Sequence, residues 1–73
     1  MNNNIQSIIF NKKNYTLKQA QEWIKKHNYK LTFYGKPVDI TDNYYRYRQQ
    51  SPKKWKTYRN KKIDDGLYLV LGY

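Results

Sequence analysis

Between Asn43 and Lys62 the chain reads NYYRYRQQSPKKWKTYRNKK, with eight Lys or Arg residues, five aromatic rings and no carboxylate. Those residue types can do two things to a nucleic acid without breaking a bond. Guanidinium and ammonium groups displace the counterions condensed on phosphates, and flat rings stack on unpaired bases at roughly 1–3 kcal/mol each. Arg46 and Arg48 fall on one face of an extended strand, about 6.5–7 Å apart by strand rise, comparable with the spacing of successive phosphates. Arg59 can join them from the segment that follows. The candidate surface is therefore Tyr44, Arg46, Arg48, Lys53, Lys54, Trp55, Lys56, Arg59, Lys61 and Lys62.

A plainer reading competes with this one. The arginines can pair with Asp39, Asp42 or Glu22, and the lysines can guard sheet edges against aggregation, as they do in many natural sheets. Trp55, among Lys53, Lys54 and Lys56 and just after Pro52, either anchors its loop or presents a stacking face. What favours a polyanionic partner is the balance: five acids cannot neutralise fifteen Lys and Arg, and the net charge is +10.

Covalent chemistry finds little to work with. His27 is the single histidine, cysteine is absent, and the acids are scattered except for Asp64 and Asp65, which precede Gly66 and read as turn residues. Ser7 lies in an apolar run and Ser51 precedes Pro52, so neither has a base and orienter beside it. The glycines are isolated, which excludes a phosphate-binding glycine loop. A tyrosine beside an arginine could attack a phosphodiester, but so small a chain offers no supporting site. The expectation is a binding protein with no catalytic residues, no cofactor and no metal.

The elements that must position these groups belong to one domain, residues 1–73, with residues 1–4 expected to be a disordered N-terminus. A chain of 73 residues buries only about 60% of its unfolded surface and cannot divide into two cores. Nine tyrosines are a large share of the apolar residues, so tyrosine must serve the core with its hydroxyl directed to a rim or a partner. No run approaches the roughly 18 apolar residues of a membrane span. The start MNNNIQSIIF lacks a basic region and a long apolar stretch, unlike a secretory signal. The heavy use of Asn, Lys, Ile and Tyr is also what an AT-rich genome encodes, so part of the lysine excess can come from codon usage.

Ile5 to Phe10 reads as a strand rich in β-branched residues. In TLKQAQEWIKKHNYK, Thr16 is placed as N-cap with Gln19 as its reciprocal partner and Tyr15 preceding them. Leu17, Ala20, Trp23, Ile24 and His27 recur on one helical face, with Lys18, Gln19, Glu22, Lys25 and Lys26 on the other. Trp23 is expected in the core. Asn28 can take the left-handed conformation that ends the helix, Tyr29 then folds back on Ile24, and His27 packs near Tyr29. Lys30 to Asn43 is punctuated by Gly35 and Pro37, with LTFY as a short strand and VDI as an extended piece. In NYYRYRQQ, Tyr45, Tyr47 and Gln49 face one way and Tyr44, Arg46, Arg48 and Gln50 the other. SPKKWKTYRNKKIDDG reads as a connection, and LYLVLGY as a central strand covered on both faces. The fold class that follows is α+β: one amphipathic helix on a mostly antiparallel three- or four-stranded sheet, in the order β-α-β-β with room for one extra short strand. The face of the sheet away from the helix must be solvated or meet a partner.

The combination IIFNKKNYTLKQAQEWIKKHNYK and VDITDNYYRYRQQSPKKWKTYRNKKIDDGLYLVLGY resembles a short domain that recurs in proteins of tailed phages and large DNA viruses. The likeness spans about Ile5 to Gly72 and rests on EWIKKHNY, YRYRQ, YRNKKI and GLYLVLG. Asn28 stands where such domains usually have Gly, and Asn60 where they usually have Thr. The family carries no established activity. The likeness implies a phage or viral setting; with no secretory signal at the start, a virion or the host cytoplasm or nucleus is expected, and secretion is not. The expected function is that of a small accessory or virion protein binding DNA or RNA without strong sequence preference. The alternative is a module docking on a viral or host protein, an acidic one included, or inhibiting it. No membrane partner is expected, and exposed sheet edges leave a homodimer open.

Overall fold

The helix forms where its caps and its apolar stripe coincide. In the computed structural model, which describes residues 4–32, 35, 38–51, 53 and 55–73, α1 spans Leu17–Lys26. Gln19 N donates to the Thr16 hydroxyl and Thr16 N donates to the Gln19 side chain, a complete capping box. At the other end Asn28 has φ 61°. Asn28 N donates to Lys25 O and Tyr29 N to Ile24 O, which satisfies two carbonyls the helix would otherwise leave open. Ala20 and Ile24 are buried, but Trp23 is only half-buried and His27 is exposed. The expected core tryptophan therefore lies at the rim, stacked with His27 at 3.9 Å and with Tyr29 at 5.9 Å.

Five strands build the sheet: β1 (Ile5–Asn11), β2 (Asp39–Ile40), β3 (Tyr44–Arg48), β4 (Tyr58–Asp64) and β5 (Leu67–Gly72). Their spatial order is β2-β3-β1-β5-β4, and each pairing is antiparallel. The α+β class holds, and the expected three or four strands in the order β-α-β-β do not. The main correction is β4, which the sequence reading took as part of a connection. β4 lies at the sheet edge beyond β5, and all its residues are exposed. With water on both faces, no hydrophobic alternation was needed to make YRNKKI a strand. β5 is interior but not the middle strand: β1 is, and Tyr68 and Leu69 keep partial exposure.

VDI contributes β2. Phe33 and Tyr34 of the expected LTFY strand lie outside the described residues, as do residues 1–3 of the expected disordered N-terminus. Asn4 accepts a hydrogen bond from Gly72 N.

Helix and sheet meet through Ile8, Phe10, Tyr47, Leu67 and Leu71, against Ala20 and Ile24. Phe10 is the hub, with edge-on contacts to Tyr15, Trp23 and Tyr47. Gln49 extends this side by bonding both backbone groups of Lys30, at 2.8 and 2.9 Å. The β3–β4 connection crosses the end of the sheet where β1 begins and β5 finishes. Gln49 N and Gln50 N donate to Gln6 O, and Lys56 N and Thr57 N donate to Tyr73 O.

Candidate functional site

Directly opposed residues in an antiparallel pair project to the same face, so the register assigns the paired side chains of the sheet. Ile8 opposes Tyr47 and Leu69, and Phe10 opposes Tyr45 and Leu67; these belong to the helix side. The helix-free face carries one row across all five strands: Asp39, Arg46, Ile9, Tyr68 and Lys62. Beside it run Arg48, Ser7, Val70 and Asn60 in the same register. Adjacent strands are about 4.8 Å apart, so Arg46 and Lys62 stand on the order of 14 Å apart across the face.

Ile9 is short, and its neighbours Arg46 and Tyr68 are long. The result is a concavity of ≈ 350 Å³ lined by Ile9, Thr41, Tyr44, Arg46, Asn60 and Tyr68. The floor is apolar, the walls are aromatic and one rim is cationic. The Thr41 hydroxyl is committed to the backbone of Tyr44, whereas the Asn60 amide makes no side-chain hydrogen bond among the described residues.

A buried polar cluster holds Arg46 in place. A bulge between Ile5 and Ser7 lets two consecutive residues of β1, Gln6 and Ser7, reach the helix-free side, and both are buried. Arg46 donates from Nε to Ser7 Oγ and from Nη2 to Gln6 Oε1, each at 3.1 Å. Ser7 donates in turn to Gln6 Oε1, and the Gln6 amide donates to Gln50 O. Each polar side chain of the cluster thus has a partner, which makes the cluster rigid. Arg48 is engaged too, through a 3.1 Å ion pair with Asp39, but both side chains are nearly half exposed and such a pair contributes little.

The remaining predicted residues separate. Tyr44, Arg46, Arg48 and Lys62 share the helix-free face. Arg59 and Lys61, opposing Leu71 and Leu69, point to the helix side of the β4 edge, and Arg59 lies over the Tyr73 ring at 5.9 Å. Lys62 reaches Asp65 at 3.5 Å, with both side chains well exposed. Lys53 and Lys56 are exposed in the connection, and Lys54 lies outside the described residues. Trp55 is half-buried and packs where a β-carbon at Gly72 would sit, with Tyr58 edge-on at 6.4 Å.

Compared with known proteins, the chain matches no family model, no curated protein and no solved structure.

Ile9, Thr41, Asn60 and Tyr68 are the site residues that sequence reasoning missed. For two of them the signal was there: alternation in LYLVLG sets Tyr68 opposite to Leu67 and Leu69, and in IQSIIF it sets Ile9 opposite to Ile8 and Phe10. Among the described residues no group of three or more His, Asp or Glu could hold a metal ion. No helix there is long and apolar enough to cross a membrane.

Proposed function

We propose that the protein binds nucleic acid through the helix-free face of its sheet, without strong sequence preference and without a covalent step. The observation that carries the reading is the concavity over Ile9, which places Tyr44 and Tyr68 beside Arg46 in a chain of net charge +10. Arg46, Arg48 and Lys62 supply charge on that face, while Arg59 and Lys61 project to the helix side of β4 and Lys53 and Lys56 lie in the connection before it. Phosphates would be held by counterion release and bases by stacking. The resemblance to phage and viral domains supports an accessory or virion role, in which genome coating, packaging or RNA handling would use such a surface.

The test is binding of labelled single- and double-stranded DNA and RNA over a salt series, with Lys62→Glu, at an exposed position, as the charge variant. Affinity that falls steeply with salt, and falls further in the variant, supports the reading; no binding at physiological salt removes it.

A second reading rests on β4. Its seven residues are all exposed and, within the sheet, it pairs only with β5, so an extended acidic segment of a protein partner could add to that edge. Such an interface would keep much of its affinity at high salt.

A further inference from the structure

We propose that the concavity over Ile9 is a seat for one unpaired base, so that the ligand of this face is a single-stranded nucleic acid whose bases enter the protein. This deepens the nucleic-acid reading and depends on it. Phosphates alone would have no use for an apolar floor: a strand bound only by charge is best served by a flat cationic face. Here the register sinks Ile9 between Arg46 and Tyr68, and a ring lying on Ile9 would meet Tyr68 and Tyr44 as walls. No other ring stacks on Tyr44 or Tyr68 among the described residues, so their faces are not used up inside the fold.

The polar atoms suit the edge of a base. Arg46 spends Nε and Nη2 on Ser7 and Gln6, which fixes the guanidinium plane and leaves Nη1 for the ligand. The Asn60 amide has a donor and an acceptor available at the opposite rim. At ≈ 350 Å³ the hollow is near the small end of ligand sites, about 300–1,000 Å³, and has room for a base. In a duplex the bases stay stacked inside and present only the backbone and groove edges, so the hollow would stay empty.

The decisive probe is a labelled single-stranded oligonucleotide compared with the same strand carrying abasic sites, which keeps the phosphates and removes the bases. Measured at one salt concentration on the unaltered protein, the intact strand should bind about tenfold or more tightly than the abasic one. The variant Tyr68→Ala, or Tyr44→Ala should the first not fold by circular dichroism, should lose that difference. Equal affinity for the two strands would overturn the seat and leave charge-driven binding standing, and so would a folded variant that still distinguishes them. Failure of both strands to bind at low salt would remove the nucleic-acid reading itself.

Discussion

The guanidinium of Arg46 donates to the hydroxyl of Ser7 at 3.1 Å, and Ser7 is completely buried. A cation of the candidate surface is thereby tied to the interior of the sheet. Arg46→Ala would leave Ser7 and Gln6 without their charged donor, at a cost of about 1–3 kcal/mol. Arg46→Lys keeps the charge but not the forked donors and should fall between. Urea denaturation of the variants measures this. Loss of binding in an Arg46 variant is interpretable only where the fold persists, which makes Lys62 the cleaner charge position.

Trp55 and Gly72 form the second such tie. Gly72→Ala puts a methyl group into the indole, so either Trp55 is expelled or the β3–β4 connection lifts. We expect a loss of about 1–3 kcal/mol, the usual cost of overpacking, with red-shifted tryptophan emission in a Trp23→Phe background.

Tyr47 is buried, and its hydroxyl has no hydrogen-bond partner among the described residues. Burial, with the neighbouring Tyr45, raises its pKa above the ordinary tyrosine value. The folded state then holds this proton more tightly than the unfolded state does. The stabilisation from that difference is complete below pH about 10 and is lost as pH rises above it. Tyr47→Phe should match or exceed the parent by up to about 1 kcal/mol at pH 7, and its stability should decline less between pH 10 and 11. Thermal melts of both proteins over that range give the comparison.

The helix ends offer a pair of opposite effects. Thr16→Ala removes the hydroxyl that accepts from Gln19 N and should cost about 1 kcal/mol. Asn28→Gly relieves a left-handed residue at φ 61° and should stabilise by a few tenths to about 1 kcal/mol. Chemical denaturation with an unchanged m-value separates both from changes in the unfolded state.

What the sequence disclosed follows from what each segment buries. The helix was legible to its caps because Thr16, Gln19 and Asn28 act locally, and β3 was legible because one of its faces is core and the other is not. β4 was illegible for the converse reason: an edge strand solvated on both faces has no periodicity to show. The two arginines of YRYR could be placed on one face and Asp39 named among their partners, but not the ties of Arg46 to Ser7 and Gln6. Those depend on a bulge in β1 and on a strand order that brings residues some forty positions apart side by side. The concavity needed β1 between β3 and β5, which no local pattern encodes.

The most direct test of the central claim is to map where a single strand binds, by following backbone amide resonances of the isotopically labelled protein as a short oligonucleotide is added. The largest shifts should fall at Ile9, Tyr44 to Arg46, Asn60 to Lys62 and Tyr68, and the outer face of α1 around Lys18, Glu22 and Lys25 should stay nearly silent. Shifts concentrated on that helical face, with the sheet residues unmoved, would contradict it.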